Sequence, residues 1–347
     1  MQVQAAVFTG ESDPLEIRKI DVPEPNPNEL LLKVGACGIC GSDLHAVQTG
    51  FVPAGTVMGH EFAGEIVAVG ADVADQWQVG DRAIAAPILT CGECPACLSG
   101  DLMSCNNAVL VGLDETVTGA YAEVVRVQAD CAIRIPERDD KSEVSWQDAA
   151  IYEPLSVGFS AYRTGAVAIG EDVLVLGGGP IGISLIKWAR YFGVTNIAVS
   201  EPEPVRRQRA GDAGANIVID PAECDNPVEE FQRQTGTVPK VIFECVGRPG
   251  ILQNMIDMAA PGTRLVAVGT GMEPEEVTVV TAALKKLSLT FAFGWELDDA
   301  RYVLDRIAAG DIDTTGLVSA TVPLDELPAI FSELLQPNTH CKVMVTP

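Results

Sequence analysis

Val173-Leu-Val-Leu-Gly177-Gly178-Gly179-Pro180-Ile181-Gly182 decides how the second half of this chain folds. Four apolar residues read as a buried strand, the glycines as a tight turn, and the residues after Pro180 as a helix. Gly177, Gly179 and Gly182 stand at the fixed positions of G-x-G-x-x-G. Glycines there let the backbone approach a pyrophosphate, which then sits at a helix N-terminus. Pro180 and Ile181 lie inside the same turn and are counted with it. A strand, turn and helix in that order make the match meaningful, where a lone glycine pattern would be weak.

Outward from this turn, apolar β-branched runs alternate with helical segments. Val173–Leu176, Ile197–Val199, Ile217–Ile219, Val241–Phe243 and Leu265–Val268 read as buried parallel strands. Pro180–Phe192, Pro204–Ala213, Val228–Thr235 and Pro249–Ala259 read as the helices between them. This is the pattern of a doubly wound α/β domain. The second strand ends at Ser200-Glu201, 19 residues after Gly182. An acid there can bond the adenosine ribose hydroxyls and repel a 2′-phosphate, so Glu201 favours NAD over NADP. Arg206 and Arg207 are the competing signal, since they could bind a 2′-phosphate, but they read first as solvated helix residues.

The residues before about 160 have another texture. Leu30–Val34 and Phe62–Val69 are strand-like, with turns at Pro23–Asn28 and Gly80-Asp81. After about residue 295 come helices Asp298–Ala309 and Leu324–Leu335 and a last strand, Cys341–Val345. That tail is too short to bury a core alone and is expected to rejoin the first domain.

Two clusters carry metal chemistry. Cys91, Cys94, Cys97 and Cys105 follow C-x2-C-x2-C-x7-C. Four thiolates so close can enclose one tetrahedral zinc with no open position, which holds a lobe in shape. Upstream, Cys37-Gly-Ile-Cys40-Gly-Ser42-Asp43-Leu-His45 precedes Gly59-His60-Glu61. Cys40, His60 and Glu61 offer sulfur, nitrogen and oxygen donors for a metal that keeps an open position. Glu153 offers a further carboxylate. Ser42 and His45 could carry a proton out of a buried site. Cys37 reads as a packed strand residue and His340 as structural.

Composition narrows the partners. The 347 residues are 47% hydrophobic and 20% charged, which fits a globular chain of about two domains. The net charge of −25 repels nucleic acid and anionic lipid. It fits a saline habitat or an ordinary acidic enzyme equally well. No run of about 18 apolar residues suggests a membrane span. Met1–Gly10 reads as a first strand rather than a signal peptide. Ten cysteines with metal-type spacing favour a reducing cytoplasm.

Gly59-His60-Glu61-x2-Gly64-x5-Gly70-x2-Val73 resembles the zinc alcohol dehydrogenase signature. Gly80-Asp81-Arg82, the four-cysteine lobe, Glu153-Pro154-Leu155-Ser156-Val157 and the glycine turn follow in order. Together they resemble the zinc-containing medium-chain dehydrogenase/reductase superfamily over nearly the whole chain. Cys40-Gly-Ser-Asp-Leu-His45 and the Glu153–Val157 stretch look most like polyol and butanediol dehydrogenases, such as sorbitol dehydrogenase.

The resemblance implies a Rossmann-type doubly wound parallel sheet domain, residues 158–295. It implies a mostly-β GroES-like catalytic domain, residues 1–157 and 296–347, carrying the zinc lobe 91–105. It implies two zinc ions per chain and NAD. Cys40, His60, Glu61 and Glu153 would serve the catalytic zinc, and Asp43 would orient His60. Arg206 would join the cofactor contacts, and Lys342 would face Asp43. Phe293-Gly294-Trp295 falls where polyol enzymes often show Phe-Arg-Tyr, so Phe51 and Trp295 would line a more apolar pocket. The implied reaction is hydride transfer between NAD(H) and a secondary alcohol, diol or polyol and its ketone, in a cleft between the domains. The alcohol proton would leave through Ser42, a ribose hydroxyl and His45. Relatives are usually homodimers or homotetramers. The alternatives are a dehydrogenase of a cyclic alcohol or hydroxyacyl thioester, and a non-catalytic, crystallin-like NAD(P)H-binding protein.

Overall fold

The computed structural model describes residues 1–10, 14–271 and 273–347. The chain divides into two compact units. The first comprises Met1–Glu153, Glu296–Gly310 and Val318–Pro347; the second comprises Pro154–Trp295 and Asp311–Leu317. Residues 154–157 and 311–317, which the sequence reading groups with the first domain, cluster with the second unit. Among the described residues, no helix is long and apolar enough to cross a membrane.

In the first unit, β1 (Gln2–Phe8) and β2 (Leu15–Asp21) form an antiparallel hairpin. Then come β3 (Glu29–Gly38), α1 (Gly41–Thr49), β4 (Glu61–Val69) and β5 (Arg82–Ala85). β6 (Ile88–Leu89) pairs with β7 (Val109–Leu110), and between them lies α2 (Pro95–Ser99) of the cysteine lobe. β8 (Val124–Gln128), β9 (Ala132–Arg134) and α3 (Trp146–Ala150) complete this part. β3 is the centre of the unit. Leu30, Leu31 and Leu32 are fully buried, and successive residues of a strand face opposite sides. Leu30 and Leu32 enter the main core, while Leu31 joins Val3, Val22 and Val124 on the other side. A strand buried on both faces must be apolar throughout, which is why this stretch shows no alternation.

The second unit opens with α4 (Tyr152–Thr164), whose first two residues still belong to the first. It continues through β10 (Val173–Leu176), α5 (Pro180–Tyr191), β11 (Ile197–Ser200), α6 (Pro204–Asp212) and β12 (Ile217–Ile219). α7 (Pro227–Thr235), β13 (Val241–Glu244), α8 (Ile251–Met258), β14 (Arg264–Ala267), α9 (Val279–Leu284) and β15 (Ser288–Phe291) follow. The sheet is parallel throughout, in the order β12-β11-β10-β13-β14-β15. The order reverses beside β10, so the glycine turn after β10 sits at the switch point where such sheets bind ligands. Trp188 of α5 is fully buried and donates its indole N–H to the Leu155 carbonyl at 2.8 Å, which fixes α5 against α4.

The chain returns to the first unit with α10 (Leu297–Ala308), β16 (Val318–Pro323), α11 (Leu327–Leu334) and β17 (Lys342–Thr346). The first unit's main sheet runs β16-β17-β3-β4-β5-β9, with β8 also paired to β3. The sequence reading finds five strands of the parallel sheet and misses β15. Three of the four residues of β15 are exposed, so it lacks the continuous apolar run that marks its buried neighbours.

Candidate active site and cofactor turn

The metal corner is built by strand register. β3 and β4 are antiparallel, and Gly38 lies opposite Glu61. Cys40, just past the end of β3, is thereby carried to His60 and Glu61 at the start of β4. The ligand atoms of Cys40, His60 and Glu61 lie within 4.8 Å of one another. The Glu61 Oε2 atom is buried without a hydrogen-bond partner. A Cβ on Gly38 would stand 2.1 Å from that oxygen, so glycine makes the room the carboxylate uses. Sulfur, imidazole and carboxylate donors, with one buried oxygen unsatisfied, fit a borderline-soft cation such as zinc.

Asp43 orients His60. It lies on α1, is fully buried, and its Oδ1 is 3.3 Å from His60 Nδ1. The two atoms stand at ion-pair distance without an aligned hydrogen bond. Asp43 Oδ2 accepts from the Tyr121 hydroxyl at 2.6 Å and from the Cys40 N–H at 3.0 Å. Burial alone would raise the Asp43 pKa, but the charge of His60 and these hydrogen bonds outweigh it and hold the carboxyl down. Burial alone would lower His60; the charges of Asp43 and then Cys40 hold it well above the ordinary range. Ser42 Oγ is 3.3 Å from His60 Nε2. His45 lies one turn further along α1 and is exposed, so the two residues run from the metal corner to solvent. Glu153 is buried in the first turn of α4 but stands outside the cluster formed by Cys40, His60 and Glu61.

The cysteine lobe is equally specific. Cys94 and Cys97 sulfurs are 3.5 Å apart, Cys105 and Cys91 3.7 Å, and Cys91 and Cys97 3.9 Å. Four sulfurs around a tetrahedral zinc at about 2.3 Å stand roughly 3.8 Å apart. None of these cysteines is in a disulfide. Backbone N–H groups of Glu93 and then Cys94 draw Cys91 down to about 6, while Cys94, which the Cys97 N–H alone would lower, is pushed up to about 11 by burial and the neighbouring thiols.

At the cofactor turn, Gly177 has φ +98°, where a side chain is strained. A Cβ on Gly182 would stand 2.0 Å from the Gly177 carbonyl oxygen, so only glycine lets α5 start this close to the strand. Gly179 caps α5 without a side-chain hydrogen bond and has open space where a Cβ would be. Pro180 and Ile181 form the first turn of α5. Its free N–H groups and open cradle fit a pyrophosphate. Glu201 follows β11 directly and is buried. Arg206 sits on α6 beside the turn, its carbonyl close to Gly178. Arg207, offered above as a phosphate partner, is committed elsewhere. It pairs with Asp220 at 2.8 Å and donates to the carbonyls of Glu201 and Pro202.

Comparison with known proteins identifies the family. The profile of the alcohol dehydrogenase GroES-like domain matches residues 26–137, and that of the zinc-binding dehydrogenase domain matches residues 180–309. Sorbitol dehydrogenase of Bacillus subtilis is 33% identical over 99% of this chain and 97% of its own length. The chain belongs to the zinc-type alcohol dehydrogenase family. Two solved relatives span it fully. A zinc-binding dehydrogenase from Sinorhizobium meliloti, bound to NADP, shares 29% identity with a TM-score of 0.86 and is itself covered completely. An alcohol dehydrogenase from Escherichia coli, complexed with NADH, shares 28% identity with a TM-score of 0.88 and is 99% covered. The protein is therefore an oxidoreductase, and the non-catalytic alternative is set aside.

One position in this dehydrogenase differs from the sequence expectation. Lys342 faces Glu61, not Asp43. β17 runs antiparallel to β3 with Met344 opposite Gly38, so Lys342 reaches the level of Cys40. Its ammonium donates to Glu61 Oε1 at 2.6 Å and to the Ile39 carbonyl at 3.0 Å. Only 2% of Lys342 is exposed, and burial alone would lower its pKa; Glu61 and then Cys40 hold it above the ordinary range. The partner that Asp43 does have, Tyr121, is 78 residues away in sequence, and no spacing announced it. Cys37 is fully buried in the core, and His340 makes contacts with Ser319 and Glu333.

Removing one member of a buried pair strands the other. Lys342→Met should cost about 3–5 kcal/mol of stability, and adding Glu61→Gln should recover much of it. Urea unfolding of both variants checks this; equal stability of Lys342→Met and the unchanged protein would refute the pair's role.

Proposed function

We propose that this enzyme oxidises a secondary alcohol, diol or polyol, or reduces the matching ketone, with NAD(H) and two zinc ions per chain. The observation that carries the reading is the Cys40, His60 and Glu61 corner, with three chemically different donors within 4.8 Å. When bound there, zinc would supply Lewis acidity for the alcohol oxygen. Cys40 and His60 are the expected ligands, with Glu61 and Glu153 as carboxylates able to join them. Asp43 and Tyr121 keep the imidazole of His60 oriented. Ser42 takes the alcohol proton inside the site, and His45 passes it to water at the exposed end. Gly177, Gly179 and Gly182 admit the pyrophosphate, and Glu201 meets the adenosine ribose. Because Arg207 is tied to Asp220, a 2′-phosphate has less to bind than the sequence alone suggests. Phe51, exposed just after α1, is the aromatic offered to an apolar part of the substrate.

We propose further that the enzyme is a homodimer or homotetramer of the cytoplasm. None of the ten cysteines is in a disulfide, which suits a reducing compartment, and cell fractionation checks the location. The two edges of the parallel sheet differ. β12 is three residues long and followed by Asp220-Pro221, a short and guarded edge. β15 has neither charge nor proline, and Phe291 and Phe293 beside it are more than two-thirds exposed. Residues 277–293 contain two lysines and no acid in a chain of net charge −25. Lys285 already caps the carbonyls of Ile256 and Asp257 near the end of α8. A bare apolar edge free of acid is where a second copy meets least repulsion.

The reading is tested first by a panel of diols, polyols and cyclic alcohols with NAD and NADP, alongside zinc analysis. NADH production and about two zinc per chain are expected. Less than one zinc after reconstitution counts against it. Cys97→Ser should release the lobe metal and lower stability, while His60→Ala should stop turnover and leave the lobe metal bound.

Ser42→Ala should retain both zinc ions and bind NADH yet lose turnover by about 10²–10⁴-fold. His45→Gln should do less harm and change the pH profile, with added imidazole restoring the rate. Full activity of Ser42→Ala would remove the relay. For the assembly, Phe291→Glu should halve the particle mass measured by light scattering; an unchanged mass rules the β15 edge out.

A further inference from the structure

We infer that Gly178, the variable position between the two first glycines of the turn, is a positioning residue that sets the cofactor-selecting carboxylate of Glu201. The inference rests on the role given to Glu201 above and explains how that role is built. Gly178 is not glycine for its backbone, because its φ lies outside the left-handed region that constrains Gly177. Space is the reason. A Cβ on Gly178 would stand 3.2 Å from Glu201 Cγ, 3.3 Å from Glu201 Oε2 and 3.4 Å from the Arg206 carbonyl oxygen. Such distances require the neighbour to yield by a few tenths of an ångström.

Glu201 is poorly placed to yield. Gly178 N–H donates to its Oε2 at 2.7 Å, and Glu203 N–H donates to its Oε1 at 2.9 Å. Its own carbonyl is held by Arg207 at 2.8 Å, and Arg207 is braced by Asp220. Only 5% of Glu201 is exposed. The carboxylate is therefore spanned between the turn and α6 before any cofactor arrives. Each oxygen has one backbone donor and keeps acceptor capacity for a ribose hydroxyl. An aspartate, one methylene shorter, would not reach the Gly178 N–H from the same backbone. The acid and the bare glycine thus work as a matched pair: Glu201 Cγ and Oε2 lie tight against the place a Cβ at 178 would take. A preorganised acceptor binds more tightly than one that must be ordered on binding.

The test is titration of NADH and NADPH fluorescence on the zinc-loaded enzyme, with steady-state kinetics beside it. Gly178→Ala should weaken NADH binding roughly three- to tenfold, as a charge-assisted hydrogen bond is misplaced. NADPH binding should weaken less or improve. The kinetic loss should fall on KM for NAD more than on kcat. Glu201→Ala, which removes both Cγ and the carboxylate, should also weaken NADH binding. On that background Gly178→Ala should cost nothing more, because the atoms its methyl group would press on are gone. That non-additivity is the decisive readout, since a turn merely distorted by alanine would lose the same factor in both backgrounds. Unchanged NADH affinity in Gly178→Ala overturns the inference, as does a loss that Gly178→Ala repeats in full on the Glu201→Ala background. Glu201→Gln separates the two levels. If it leaves both affinities unchanged, the reading of Glu201 falls and the inference falls with it. If it alters the NADH to NADPH ratio while Gly178→Ala does not, only the inference is lost.

Discussion

One ammonium and one carboxylate, both closed off from water, fix the corner on which the site of this dehydrogenase is built. Lys342 and Glu61 meet at 2.6 Å, 281 residues apart in the chain. A buried ion pair is not a strong source of stability, because desolvation offsets most of the attraction. What it does is specify position. Glu61 has one oxygen held by Lys342 and the other left unsatisfied beneath Gly38. The last strand of the chain is thereby joined to the two strand ends that carry Cys40 and His60. The register of β17 against β3, and of β3 against β4, follows from apolar residues that must face the core.

Around this corner, each polar group is placed by another. Tyr121 and the Cys40 N–H hold Asp43, and Asp43 faces His60. The same logic recurs at the cofactor turn, where two backbone donors hold Glu201 and Arg207 holds the backbone beneath it. In both places an acidic side chain lies against a glycine: Gly38 gives up space that Glu61 fills, and Gly178 leaves Glu201 uncrowded. The zinc lobe works differently. Its four sulfurs come from 15 consecutive residues, so local chain geometry brings them together with little help from the rest of the fold.

That contrast explains which parts of the molecule were readable. The lobe cysteines and the glycine turn are local, and their spacing alone carries the chemistry. The strands of the parallel sheet were found where burial on both faces demanded continuous apolar runs. β15 was missed because an edge strand needs no such run, and its exposed residues look like a loop. Lys342 pairs with Glu61 rather than with Asp43. Asp43 and Glu61 lie on neighbouring elements, and nothing in the sequence fixes which of them β17 will face. Arg207 looked like a candidate phosphate ligand because its bond to Asp220 depends on how α6 meets the end of β12.

The sequence by itself determined the fold class, the candidate donors for the metals, and the glycine turn at the switch point of the parallel sheet. These depend on periodicity and on spacing within a few residues, where covalent geometry limits the outcomes. Only the tertiary structure decided which charges are paired, which are spent on the scaffold, and which are held ready for a ligand. Those outcomes depend on strand register and on the removal of water from particular groups. A buried charge must find a partner from whatever the fold places beside it, and that neighbour can be Lys342, nearly three hundred residues away.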